Sequence, residues 1–278
     1  MPQDDSGRIR AGILHVLRHN ADNGHTCLPR DRLAQVAARM LQVEVESVGG
    51  TLRSMEETFD VQAQTFGERE FIFLPRYYQS ETYSADRLKM MLRYPPQSIV
   101  GVEGAIKEVE IRENIHYAAE QKEAIVQALE KGFLILTGGP GTGKTTTLNG
   151  IIRILKNKGE TVLLAAPTGR AAKRMSELTG EEAKTVHRLL QVEWDDQDNP
   201  VFSRNERNPL ECDAVVVDEL SMVDTLLFEG ILRALPLGCR LILVGDCDQL
   251  PSVGAGNVLG DLIASGMFPV VQLTEIFR

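Results

Sequence analysis

The chain has 278 residues, 43% of them hydrophobic and 25% charged, with a formal net charge of −9. Those proportions describe a globular chain of one or two domains, and the negative balance excludes a general nucleic-acid coat without excluding a local basic track. No apolar run reaches the ~18–20 residues of a membrane span, and the start, "MPQDDSGRIR", lacks a signal-peptide core, so a cytoplasmic setting with no membrane partner is expected.

The first ~75 residues predict three helices and a hairpin. Ile9, Ile13, Val16 and Leu17 recur at helical spacing; Leu33, Val36, Met40 and Leu41 do so after Pro29; Val45, Val48, Leu52 and Met55 make a third stripe. Val61, Ala63 and Thr65 then alternate, Gly67 marks a turn, and Phe71 and Phe73 alternate again. This order suggests a small winged-helix-like α+β module over residues 1–95. Its third helix carries Glu44, Glu46, Glu56 and Glu57 around a single Arg53, a charge pattern that repels a phosphate backbone and favours a spacer over a DNA reader. A further helix is expected from about Ser84 to Tyr94, ended by Pro95-Pro96, with residues 96–110 as a linker.

From residue 111 the texture changes. The runs "FLILT" (133–137), "TVLLAA" (161–166), "AVVVD" (214–218), "LILVGD" (241–246) and "VVQL" (270–273) alternate with helical segments. Continuous apolar runs fit strands buried on both faces, hence an α/β domain with a parallel sheet over residues 111–278.

Directly after the first run, "GGPGTGKTT" places Gly138, Gly139, Pro140, Gly141, Thr142, Gly143, Lys144, Thr145 and Thr146 in the strand–loop–helix setting of a P-loop. Its glycines let backbone N–H groups approach phosphates, and the helix that starts near Lys144 adds its positive dipole end. In such loops the lysine sits between the β and γ phosphates and the hydroxyl of the next residue binds Mg²⁺; here those residues are Lys144 and Thr145. Asp218, at the end of the "AVVVD" run, is the expected second Mg²⁺ holder, and Glu219 is the candidate general base for water attack on ATP. Gln249 follows the "LILVGD" strand, where its amide can sense the γ phosphate. "AAPTGRAAKRM" gathers Arg170, Lys173 and Arg174 near a helix start, DNA contact and a solvated face being equally open for the last two. Residues 190–209 hold a turn at Asp198-Asn199-Pro200 between Val192, Trp194 and Val201, Phe202, which reads as a β-hairpin or a plain surface loop. The four cysteines, Cys27, Cys212, Cys239 and Cys247, include no CxxC pair and no histidine at ligand spacing, so buried or incidental thiols are expected.

In this order the segments resemble the RecD/TraA-like branch of the superfamily 1 DNA helicases, over roughly residues 110 to 278 and more loosely over the N-terminal module. Gln121 in "AAEQKEAI", seventeen residues ahead of Gly138, is similar to the glutamine that reads adenine. The P-loop, "PTGRAAKR", "TVHRLL", "DELS", "GDCDQLPSVGAG" and "LTEIFR" follow in family order, with Leu220 standing where the family usually has alanine. The resemblance implies a RecA-like P-loop NTPase fold and an ATP-dependent, 5′ to 3′ DNA helicase. Pro167, Thr168, Gly169, Arg170, Thr185 and His187 are then expected to face single-stranded DNA, and the 190–209 insertion resembles a strand-separating pin at a duplex junction. Leu273 to Arg278 resembles the motif whose arginine reaches the γ phosphate at the junction with a second RecA-like domain. On that reading the chain holds only the first half of a motor, expected to bind Mg-ATP weakly and unwind nothing alone. Partner proteins of a recombination or repair complex are implied without being identified. The alternative is a nucleotide-dependent DNA-binding or partner-docking module that never turns over; a remodelling ATPase acting on protein is disfavoured, since no ring-contact motif is recognisable.

Overall fold

Local sequence explains most of the first elements. In the computed structural model, which describes residues 5–194, 200–246, 248–249 and 252–276, α1 (Ser6–Asp22) starts where the Asp5 carboxylate accepts the Gly7 N–H at 2.9 Å. It buries Ile9, Ile13, Val16 and Leu17, as their spacing predicts. After β1 (Cys27–Pro29) come α2 (Arg30–Leu41) and α3 (Val45–Glu57), the latter burying Val48, Leu52 and Met55. The hairpin β2 (Gln62–Phe66) and β3 (Arg69–Phe73) turns at Gly67, and β1 adds antiparallel to β3. The buried face of α2 differs from the expected stripe: Leu33, Ala34, Ala37, Ala38 and Leu41 point inward, while Val36 and Met40 are more than two-fifths exposed. Alanines carry this face because α1 approaches closely; a Cβ on Gly12 of α1 would lie 2.6 Å from Leu41. The last helix of the region, α4 (Pro75–Arg93), begins well before Ser84, with Pro75 at the first helical position, where its missing N–H costs nothing.

The chain divides into two compact units: Met1–Ala85 with Asp224–Leu226 and Pro251–Asn257, and Asp86–Val223 with Leu227–Leu250 and Val258–Arg278. Residues 96–110, expected as a linker, are packed structure. Ile99 is buried, and α5 (Val102–Glu113) sends Val102, Ile106 and Val109 into the core of the second unit. The proline pair upstream masks this stripe, and α5 starts directly behind Gly101, which takes a left-handed conformation.

The second unit continues with α6 (Ala119–Lys131), β4 (Phe133–Gly138), α7 (Lys144–Asn157), β5 (Val162–Ala166), α8 (Gly169–Thr179), β6 (Ala183–Thr185) and α9 (Val186–Leu189). β7 (Val192–Trp194) and β8 (Pro200–Phe202) pair antiparallel as a hairpin, residues 195–199 lying outside those described. β9 (Ala214–Val217), a 3₁₀ turn (Leu220–Met222), α10 (Thr225–Ala234), β10 (Arg240–Gly245), α11 (Val258–Ala264) and β11 (Val270–Leu273) complete the chain.

Six strands form one parallel sheet in the order β11-β4-β10-β9-β5-β6, the α/β P-loop architecture expected. Leu134, Leu136, Val216, Ile242, Val244, Val271 and Leu273 alternate onto one face and share a core with α5, α6 and α7. Their neighbours Ile135, Val215, Val217, Leu241 and Leu243 are equally buried on the other face, which is why these strands read as unbroken apolar runs. At the opposite end from the strand C-termini, the guanidinium of the 2% exposed Arg240 donates to the carbonyls of Leu129 (2.9 Å) and Gln97 and to the Glu160 carboxylate (3.1 Å). A buried cation survives there because its donors find acceptors. Among the described residues no helix is long and apolar enough to cross a membrane.

Candidate functional site

The strand order sets the site. In a parallel α/β sheet, ligands gather beyond the C-terminal strand ends, and here β4, β10 and β9 lie side by side. Their exits are the Gly138 loop, Asp246 and Asp218. β5 and β6 follow, leading to Pro167-Thr168 and to Thr185, while β11 flanks β4 on the other side and leads to Thr274.

Gly138 ends β4 at φ 153°, where an added Cβ would sit 2.7 Å from the Leu273 carbonyl oxygen and 2.8 Å from Thr142 Oγ1. Only glycine fits this turn without displacing β11. The loop is closed by the Thr142 hydroxyl donating to the Gly139 carbonyl at 2.9 Å and by Thr147 donating to Gly143 at 3.0 Å. Lys144 opens the 14-residue α7, and its ammonium donates to the carbonyls of Gly138 and, at 2.9 Å, Gly139. The loop thus holds a lysine charge, glycine backbone and a helix N-terminus over one cavity of about 490 Å³.

Facing Gly139–Thr146 across this cavity are Asp218, Glu219, Asp246, Gln249 and Arg174. The Asp218 N–H donates to Ala165 in β5, and its Oδ1 accepts the Glu219 N–H at 2.8 Å. Burial pushes the Asp218 carboxyl above its ordinary value, opposed by that N–H and by the charges of Lys144 and Arg174. Glu219 has φ 52°, a left-handed conformation uncommon for a side-chain-bearing residue, and it opens the 3₁₀ turn. Asp246 is buried and accepts the Asp248 N–H at 3.0 Å, while Gln249 donates its N–H to the Asp246 carbonyl at 3.2 Å.

These residues fit a magnesium nucleotide. Among the described residues no cluster of three or more His, Cys, Asp or Glu could bind a metal unaided. A hydroxyl at Thr145 and a carboxylate at Asp218 on one cavity suit an ion that completes its shell with phosphate and water.

Gln121 lies elsewhere. Buried at the start of α6, its Oε1 accepts the Ala118 N–H at 2.9 Å and its amide donates to the Gly143 carbonyl at 3.4 Å, so it braces the loop from behind and does not line the cavity. Its neighbour Glu120 grips the other flank, accepting both the Thr274 N–H and hydroxyl at 2.7 Å. Arg278 lies outside the described residues.

The residues expected to meet DNA cluster at β5 and β6. Thr168 and Thr185 cap α8 and α9, each hydroxyl oxygen accepting an N–H at 3.2 Å, from Ala171 and Arg188. Each retains its own proton to donate. Gly169 and Thr185 line a second cavity of about 420 Å³ with Lys173, Lys184 and Arg188; Arg170 is exposed and Pro167 half-buried. The His187 ring lies 6.5 Å from the ring of Phe202 in β8, at the foot of the hairpin.

Three residues escaped sequence reasoning. Arg174, exposed on α8, lines the nucleotide cavity; its spacing four after Arg170 is visible in the sequence, its direction is not. Asp246 closes the run "LILVGD" and Lys184 directly precedes "TVHRLL", and only the strand order assigns them to a cavity.

A family model described as an AAA domain matches residues 121–255. The ATP-dependent RecD2 DNA helicase of Deinococcus radiodurans is 34% identical over 99% of this chain and 39% of its own length. The RecBCD enzyme subunit RecD of Mycolicibacterium smegmatis is 36% identical over 70% of this chain and 38% of its own. The chain therefore spans about two-fifths of the length of these relatives. Among solved structures, the Pif1 helicase from Candida albicans aligns with a TM-score of 0.45 and 28% identity, covering 59% of this chain and 41% of that one. With one relative matched along 99% of this chain and another along 70%, and with the AAA domain at residues 121–255, the chain belongs to the RecD-like branch of the superfamily 1 helicases.

Proposed function

We propose that the chain supplies the first ATP-binding half of a DNA helicase motor, with 5′ to 3′ polarity, acting on single-stranded DNA at a duplex junction. The observation that supports this most is the 490 Å³ cavity, in which a P-loop faces an acidic pair and a glutamine from neighbouring strand ends. Lys144 leaves its carbonyl partners to contact the β and γ phosphates. Thr145 and Asp218 would hold magnesium, which would neutralise charge on the ATP phosphates. Glu219 takes a proton from the attacking water, its left-handed backbone fixing the carboxylate's approach. Gln249 orients that water, Arg174 offers a cation from the opposite wall, and Gln121 keeps the loop in shape from behind. At the β5 and β6 ends, Thr168, Gly169, Arg170, Thr185 and His187, joined by Lys184 and Arg188, hold the DNA backbone by hydroxyl, N–H and cationic contacts. The hairpin lies beside His187 and serves as the strand-separating pin.

Hydrolysis tests this reading. In a protein that carries both halves of the motor, ATP turnover should rise with single-stranded DNA, and Glu219→Gln should cut turnover ~10²-fold or more, a general base contributing ~10²–10⁴, while ATP affinity stays within about threefold. Turnover indifferent to DNA, or unchanged in Glu219→Gln, would overturn it.

A further inference from the structure

Two thiols with no part in this site lie together at the other end of the sheet. Cys212 stands two residues before β9, and Cys239 directly precedes β10, the adjacent strand. Their sulfurs are 3.9 Å apart; Cys239 is 2% exposed and Cys212 half-buried. Cys239 follows the turn Leu237-Gly238, where Leu237 is 81% exposed and Gly238 takes φ 75°. Neither cysteine is in the hydrogen-bonded ladder, so their side chains can close the gap to a bonding distance of ~2.05 Å without breaking strand pairing.

We infer that Cys212 and Cys239 are an oxidisable dithiol, a peroxide-sensitive modification site that closes to an intramolecular disulfide at the entry to β9 and β10. Among the described residues no third ligand makes this pair a metal site, which leaves two-electron oxidation as its chemistry. Cys212, the more accessible sulfur, attacks hydrogen peroxide as thiolate. The O–O bond breaks, hydroxide leaves, and Cys212 becomes a sulfenic acid. The Cys239 sulfur then displaces that hydroxyl; its thiol proton leaves with it as water. In sum two thiols and one peroxide give one disulfide and two waters. The roles follow the environment: the hydrogen bond from Cys239 draws Cys212 below the ordinary thiol range, and that same bond, with burial, pushes Cys239 up.

Trypsin cuts after Arg207, Arg233 and Arg240, which puts Cys212 in the peptide 208–233 and Cys239 in 234–240. After excess hydrogen peroxide, the non-reduced digest of the full chain should contain these two peptides joined, two hydrogens lighter than their sum. No disulfide-linked dimer should form, and the chain should melt ~5–10 °C higher, as a closed loop of this length implies, with the joined peptide and the shift both reversed by dithiothreitol. Cys212→Ser should abolish the joined peptide and the shift, and Cys239→Ala should leave Cys212 to over-oxidise. Recovery of Cys212 as sulfinic acid beside an alkylatable Cys239 in the wild type, a disulfide between two chains, or two unreacted thiols would each overturn the assignment.

Discussion

Asp218 illustrates how a single residue sets function against stability. Burial raises its folded pKa above the unfolded value, so its charge destabilises the fold at every pH above that folded value. The penalty lifts as pH falls through the folded pKa and is gone below the unfolded one. Asp218→Asn, neutral and of the same shape, should therefore raise the melting temperature of the ligand-free chain at pH 7, with the gain shrinking as pH approaches 4. The same change should abolish magnesium-dependent tightening of ATP binding. Thermal melts across that range, with nucleotide titrations with and without magnesium, check both halves; a lower melting temperature at pH 7 would contradict the burial account. Gly138 carries a steric constraint of the opposite kind. Gly138→Ala drives a methyl to 2.7 Å from a backbone oxygen of β11 at a φ that side chains rarely adopt. A loss of ~1–3 kcal/mol in chemical denaturation is expected, the usual cost of one strained position.

At the scale of elements, the hairpin and the β11 exit are held by identifiable contacts. Phe202 of β8 packs over Gly230 of α10, where an added Cβ would lie 2.7 Å from the ring. A two-stranded hairpin is marginal unless packed, so Gly230→Ala should displace Phe202 and accelerate amide exchange in β7 and β8 about tenfold while leaving ATP affinity unchanged; unchanged exchange would show that the hairpin does not depend on this foot. The Glu120 grip on Thr274 lowers the Glu120 pKa through the two hydrogen bonds it accepts from that residue, so the grip is present near neutrality and is lost as pH falls through the carboxylate range. Glu120→Ala should speed exchange of the Thr274 amide with little change in melting temperature. Legibility in the sequence follows the same scale. β4, β9 and β10 were plain as apolar runs because both faces are buried, and the P-loop and Asp218-Glu219 were plain because their spacing is local. β1 and β6, three residues each, are too short to show alternation. Pro95-Pro96 masks the α5 stripe, and the inward face of α2 shows no apolar stripe of large residues because alanines carry it. The cavity position of Arg174 and Asp246 depends on the adjacency of β4, β10 and β9, which no local pattern encodes.

For the whole molecule, a net charge of −9 means that any DNA affinity must come from a confined basic surface. The β5–β6 exits gather Lys173, Lys184 and Arg188, with Glu177 3.9 Å from Lys173 and Glu182 3.8 Å from Lys184, whereas Glu56 of α3 is paired with Arg30. Lys184→Ala with Arg188→Ala should weaken single-stranded DNA binding about tenfold and flatten its salt dependence by one to two units in the log–log slope. Arg53→Ala should change neither, and anisotropy titrations over a salt series separate the two. Nucleotide binding in the P-loop cavity is tested most directly by calorimetric titration of magnesium with a non-hydrolysable ATP analogue into the wild-type chain and into Lys144→Ala. Saturable one-to-one binding by the wild type, weakened at least tenfold in the variant with the ligand-free melting temperature unchanged to within about 2 °C, is the predicted result; equal affinity in the two proteins would contradict it.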